Sequence, residues 1–473
     1  MVFSSITFLL LFLPLFLLVY YLSPKSVKNY VILLFSIVFY AWGAPKFVFI
    51  LLATTAASFY LVKWMDDSDE RKTKKLLLAI SIVINLGLLA FFKYANFFVD
   101  NLNGLMESFG YNAVAWTRII LPIGISFYTF QTLTYSIDVY RGVHKPLNKL
   151  TDYVLYIIMF PQLIAGPIVR YNSIADQIVS RNETNSDRLL GFYRFSIGLA
   201  KKVLIANVMG AEADKIMSLD FNSIDSTTAW IGILAYTFQI YFDFSGYSDM
   251  AIGIGRMIGF KFPENFDNPY TSKSITEFWR RWHMTLGSWM KNYLYIPLGG
   301  NKVKTNTRLY FNLWFVFLVS GLWHGASWSF VIWGAFHGFF LVIERLFLSK
   351  VLKKAGSTIS LIYTFFITIM GWVIFRIEDY SNAFIYYGKL FSFDFGSYNL
   401  YQNKEVVVIF LVAILFSFFT LLPKGQKIQD RVFYSDYSSR ALAIGLAISL
   451  ILFSLSVASI STSGFNPFIY FRF

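Results

Sequence analysis

"SGLWHGASWSFVIWGAFHGFFLVI" runs from Ser320 to Ile343. Two apolar runs meet at His324–Gly325, and aromatics flank the break on both sides. Runs this apolar belong in hydrocarbon or in a large core. An ionisable side chain at that depth is costly and is a functional candidate by default. A core histidine bonded to a backbone carbonyl is the plainer alternative. The stretch therefore raises two questions: whether the rest of the chain is membrane-like, and what the imidazole does.

Composition answers the first. Of 473 residues, 56% are hydrophobic, 20% aromatic and only 14% charged, and mean hydropathy is +0.55. A soluble domain carries about 25% charged residues. The expected class is an all-α polytopic membrane protein. Apolar runs of spanning length lie near 6–22, 30–44, 47–64, 75–92, 116–135, 190–208, 226–245, 308–323, 326–346, 358–376, 405–422 and 441–459. They predict about twelve crossings, at ~20 residues each. Two further runs, 151–168 with "FPQLIAGP" and 275–298 with "FWRRWH", are apolar but broken. Irregular backbone at membrane depth survives only inside protein or beside a cavity, so both are candidate re-entrant segments. "ITFLLLFLPLFLLVYYL" lacks a basic leader and a small-residue cleavage site, and reads as a retained first helix. No repeat or linker divides the chain, which predicts a single integral domain over 1–473.

The net charge is +14, from 41 basic and 27 acidic residues. Most of the basic residues sit between apolar runs, as the positive-inside rule demands, so no nucleic-acid partner is implied. Lys25 and Lys28, the segment Glu70 to Lys75, Arg141, Lys145 and Lys149, Arg345 to Lys354, and Lys424 to Arg440 would face the cytoplasm. The last residues, 460–473, then lie outside. The weak step is Lys201–Lys202, which interrupts a candidate helix. The chain has no Cys, which excludes thiolate nucleophiles and thiolate metal sites. No metal-ligand spacing, phosphate loop or nucleophile elbow appears.

His144 sits in a basic loop and reads as solvated. His283, in "TEFWRRWHMTL", lies one turn from Trp279 and close to Arg280, so a shared helix face is expected. Arg280 and Arg281, with aromatic neighbours, suit phosphate or carboxylate, or simply snorkel at an interface. His337 lies 13 residues beyond His324. On one continuous helix that is about 20 Å of rise, too far to share a site unless the helix breaks, and small-residue packing around Gly334 and Gly338 is the plainer reading. Asp243 and Asp249, in "YFDFSGYSDMAIG", suit an ion path, a grip on arginines, or a loop start. The ion path is the basis of a transporter reading. "NPFIYFRF" (Asn466 to Phe473) is aromatic where a chain end is normally small and polar; an interfacial anchor is one reading.

"FWRRWH", followed about forty residues later by "GLWHGASWSFVIWG", resembles the bacterial membrane-bound O-acyltransferases (MBOAT). "LPIGISFYTFQ" (Leu121 to Gln131), "FPQLIAGPIVRY" (Phe160 to Tyr171), "FDFSGYSDMAIG" and "NFDNPY" (Asn265 to Tyr270) extend the resemblance along essentially the whole chain. It is nearer the branch serving alginate O-acetylation than the branch that D-alanylates teichoic acid. The resemblance implies helices cupped around a central tunnel, with His324 and His283 catalytic: His324 as base, His283 orienting or polarising. Trp279, Arg280, Arg281, Trp323 and Asp243 would serve the donor. The donor implied is an acyl thioester, acetyl-CoA, as co-substrate, with no cofactor and no metal. The end of the chain matches an F-x-Y-x-x-F pattern at Phe468, Tyr470 and Phe473, whose tyrosine would carry the acyl group across the bacterial cytoplasmic membrane. An extracytoplasmic SGNH-hydrolase-like partner would then acylate a polysaccharide. The alternatives are a transporter or flippase using the same tunnel, and direct acylation in the tunnel with the aromatic end as anchor only.

Overall fold

The computed structural model describes residues 1–164, 166–396, 398, 403–434 and 437–467, and among these every regular element is helical. Phe468, Tyr470 and Phe473 lie outside the described residues. The chain forms two compact units.

The first unit comprises Met1–Phe3, Thr7–Glu183 and Gly259–Phe262. Its aromatic core centres on Phe160, whose ring lies 5.1 Å from Phe16, 5.5 Å from Phe12 and 5.5 Å from Phe39. The predicted break falls here: the helix Leu150–Ile158 stops at Met159, and Pro161 opens the single turn Phe160–Leu163. Side chains satisfy the freed backbone, as burial requires. The Phe160 amide donates to Ser36 Oγ at 3.1 Å, and the fully buried Gln162 donates to the Tyr156 carbonyl.

Two expectations change in this unit. The run near 75–92 is the middle of a helix, Arg71–Ser108, of 38 residues. At 1.5 Å per residue it is about 57 Å long, well over the ~30 Å hydrocarbon core. The run near 116–135 becomes helical only at Ile125. Pro122 withholds an N–H, and Gly124 takes φ +76° with its would-be Cβ 2.7 Å from the Leu163 carbonyl oxygen. A left-handed residue there starts the helix anew. Asn96 pairs with the irregular segment on both faces of its amide, accepting from the Ile119 amide at 3.0 Å and donating to the Ile119 carbonyl at 2.8 Å.

The second unit comprises Ser4–Ile6, Thr184–Ile258 and Pro263–Phe473. Its spine is the 32-residue helix Ser226–Met257, started by Asp225, which caps the Thr228 amide at 2.7 Å. It is buried along nearly its whole length and packs antiparallel on Asn185–Ala200 through two glycine pairs. A Cβ on Gly198 would fall 2.5 Å from the Gly246 carbonyl oxygen, and one on Gly253 would fall 2.6 Å from that of Gly191. Small residues let helix backbones touch in this way. The first helix then loosens into a π-helical stretch, Lys201–Ala206. The two lysines that interrupt the apolar pattern turn inward there: Lys201 pairs with Asp249 at 2.7 Å, and Lys202 with Asp243 at 2.8 Å.

Among the described residues six helices are long and apolar enough to cross a membrane: Val48–Asp67, Arg71–Ser108, Trp328–Ala355, Ser357–Arg376, Lys404–Leu421 and Ser439–Thr462. The other apolar runs of the sequence are shorter, broken or charge-bearing helices.

Candidate functional site

The site lies wholly in the second unit. The short helix Ile275–Arg281 is capped by Ser274, which accepts the Glu277 amide at 3.0 Å. It is also seated on Glu344, a buried carboxylate that accepts the Ile275 amide at 2.6 Å and the Thr276 amide at 2.9 Å. This helix ends at Arg281, Trp282 is extended, and His283 adopts φ +46° before the next helix, Met284–Met290. His283 therefore does not share a helix face with Trp279 and Arg280. Backbone pairing imposes the break. The Asp267 amide donates to the Arg281 carbonyl at 3.0 Å, and the Met284 amide donates to the Asn265 carbonyl at 2.9 Å.

Asn265 also sets the chemistry of His283. Its Oδ1 accepts from the Thr285 amide at 3.3 Å and from the Thr285 hydroxyl at 2.8 Å, while its Nδ2 donates to Ser248 Oγ at 3.1 Å. A backbone donor on that atom requires oxygen there. His283 Nδ1 lies 3.0 Å from the same oxygen, so Nδ1 carries the hydrogen and Nε2 keeps its lone pair. The imidazole is buried, and among the described residues Nε2 has no partner. Its ring stands edge-on to Phe244 at 4.7 Å.

His324 is the last residue of Asn306–His324. Its buried ring touches Trp323 at 5.0 Å, Trp333 at 5.2 Å and Phe375 at 5.3 Å. Trp323 joins the two imidazoles, lying 6.1 Å from His283. The helix breaks at Gly325 and the chain folds back as Trp328–Ile343. That reversal brings His337 into the same wall, 5.0 Å from Trp333 and 4.9 Å from Trp279. The sequence set His337 apart from His324 unless the helix broke between them, and it does break at Gly325. The signal was present in the Trp333–His337 spacing of four, which places both on one face. Neither ring nitrogen of His337 has a partner among the described residues.

The remaining candidates separate. Arg281 is held by Glu277 at 2.9 Å and Asp267 at 3.7 Å, whereas Arg280 is exposed. Asp243 is committed to Lys202. Asp249 takes Lys201 and also Arg194 at 2.6 Å, and Arg194 reaches Glu264 at 2.6 Å as well. His144 belongs to the first unit, 3.2 Å from Asp176. Among the described residues no cluster of His, Asp and Glu could hold a metal ion. Of the aromatic end, Asn466 and Pro467 are among the described residues. Asn466 donates to the Ser4 carbonyl at 2.7 Å and accepts from the Asn207 amide group at 3.3 Å; the Pro467 carbonyl accepts from Lys202 Nζ.

The chain is 41% identical to a probable alginate O-acetylase of Azotobacter vinelandii, over 100% of both chains. It is 39% identical to the Pseudomonas aeruginosa protein of the same description, again over 100% of both. A peptidoglycan O-acetyltransferase of Helicobacter pylori is 37% identical over 81% of this chain and 78% of its own. A teichoic acid D-alanyltransferase of Streptococcus thermophilus is 31% identical over 50% of this chain and 60% of its own. The membrane-bound O-acyltransferase family matches residues 7–377. A multi-pass helical chain with these relatives is a membrane-bound acyltransferase, and it belongs to the MBOAT family.

Proposed function

We propose that this enzyme moves an acetyl group from cytoplasmic acetyl-CoA onto Tyr470, and from there to an extracytoplasmic partner that O-acetylates a polysaccharide. The observation that carries the reading is the unpartnered Nε2 of His283, in a buried aromatic wall shared with His324. A phenol has a pKa of about 10 and needs a base to attack a thioester. The Tyr470 oxygen attacks the thioester carbonyl carbon, and its proton passes to His283 Nε2. The tetrahedral adduct collapses with cleavage of the C–S bond, and the proton leaves with the thiolate as free thiol. His324 orients or polarises the carbonyl. The sequence expectation that His324 is the base shifts to His283 because Asn265 leaves Nε2 of that ring as an acceptor. Arg280, exposed beside the site, meets the donor's phosphates.

The resulting aryl ester keeps much of the activation of the thioester. A serine of an SGNH-hydrolase-like partner takes the acetyl group and passes it to a sugar hydroxyl. The names of the relatives, alginate O-acetylase and peptidoglycan O-acetyltransferase, support a polysaccharide acceptor. The loop charges support an extracytoplasmic position for the Tyr470 segment.

The test is peptide mass spectrometry of the purified protein after incubation with acetyl-CoA. The reading expects an acetyl mass on the Tyr470 peptide that disappears in His283→Asn and in His324→Ala. An unmodified Tyr470, in protein that still supports polymer acetylation with its partner, would sink the relay in favour of direct transfer.

A further inference from the structure

We propose that Lys202, paired with Asp243, is the seat of the segment that bears Tyr470, and that it sets how far the tyrosine can reach. The proposal rests on the relay reading above.

Lys202 and Asp243 form a 2.8 Å ion pair with side chains only 3% and 1% exposed. An ammonium has three hydrogens to place, and one carboxylate does not satisfy them in a buried setting. The Pro467 carbonyl accepts another. Proline suits the position, because its fixed φ presents the carbonyl and it has no N–H to satisfy. One residue earlier, Asn466 is held at both ends of its amide. Ser4 Oγ donates to its Oδ1 at 3.1 Å, and its Nδ2 donates to the Ser4 carbonyl at 2.7 Å. The π-helical turn at Lys201–Ala206 aims Lys202 inward, and such turns often mark functional positions. The seat is also close in sequence to the chemistry. Asp243 is followed by Phe244, whose ring packs 4.7 Å from His283.

Chain geometry turns this contact into a function. The last helix ends at Thr462. A free segment starting there would let Tyr470 range over eight residues, about 29 Å when extended. Seated at Pro467, it is limited to three residues, about 11 Å. Effective concentration falls as roughly the −3/2 power of tether length, so seating raises it about fourfold near the seat. Lys202 is thus a positioning residue: it holds Pro467 and so shortens the tether on which Tyr470 is carried.

The chain has no Cys, so thiols placed by Ser4→Cys and Asn466→Cys are the only two present. These changes also remove the Asn466 bonds and leave Lys202 to hold the segment. The full-length protein is treated with a short, reducible bifunctional thiosulfonate, and intramolecular bridging is read by intact mass. We expect a high bridging yield that drops several-fold with Lys202→Met. The pair Lys202→Met with Asp243→Asn, which strands no buried charge, should show the same drop. An unchanged yield in that neutral pair overturns the seat. With acetyl-CoA, bridged protein should still acetylate Tyr470, and unbridged Lys202→Met should do so about fourfold more slowly in a single turnover. Acetylation lost on bridging and restored by reduction would overturn the positioning role. If Tyr470 is not acetylated even in unbridged protein with Lys202 intact, the relay reading fails, while the bridging yield still decides the seat.

Discussion

At the scale of single residues, the decisive position is His283. Its left-handed backbone and its Nδ1 bond both trace to Asn265, 18 residues away in sequence. Asparagine tolerates the left-handed region far better than most residues, and it cannot act as a base. His283→Asn is therefore expected to hold the backbone while removing the imidazole. Its melting temperature in detergent should stay close to that of the parent, while acetyl transfer falls by at least ~100-fold, the low end for losing a general base. A matched loss of stability and activity would mean that the imidazole is structural. The candidacy of His283 and His324 was legible in sequence, because ionisable residues inside apolar runs are rare. The backbone angle and tautomer were not, since they depend on pairing with 265–267, and periodicity reports nothing about such a contact. Asp243 and Asp249 were equally visible, but only their partners, Lys202, Lys201 and Arg194, identify them as ends of buried ion pairs.

At the scale of elements, glycine pairs decide which helices can touch. Gly198→Val would drive a side chain into the Gly246 carbonyl and wedge apart the helices that carry Lys202 and Asp243. Overpacking of this kind costs about 1–3 kcal/mol, and thermal unfolding should show it as a clear fall. Gly87, in the long helix Arg71–Ser108, has nothing within 4 Å of its would-be Cβ. Gly87→Ala should instead raise stability by about 0.5–1 kcal/mol, from helix propensity alone. If the two substitutions behave alike, close packing is not what the 198–246 glycines provide. Hydropathy located most helices, but it could not see the restart at Ile125. Residues 116–135 are apolar enough to read as one span; it is Pro122 and the conformation of Gly124 that keep 116–124 out of the helix.

At the scale of the whole molecule, the apolar runs alone identified a helical membrane protein, and the order of its motifs identified the family. Hydropathy alone does not separate a helix that faces lipid from one that faces protein. Ser226–Met257 is the clearest case, because its apolar side chains serve a protein interior that also encloses Asp243 and Asp249. The orientation proposed from loop charge can be checked directly. In right-side-out vesicles an impermeant maleimide should label Gly464→Cys but not Lys72→Cys, and inverted vesicles should reverse the pattern. Labelling of both from one side would refute the charge-based topology. The bond between Ser4 and Asn466 joins residues 462 apart in the sequence. At about 5–20 residues per second, the ribosome delivers the second partner roughly 25–90 s after the first. On the proposed relay, the nascent enzyme passes that interval with its acceptor segment unmade, and it spends no donor thioester until synthesis has reached Tyr470.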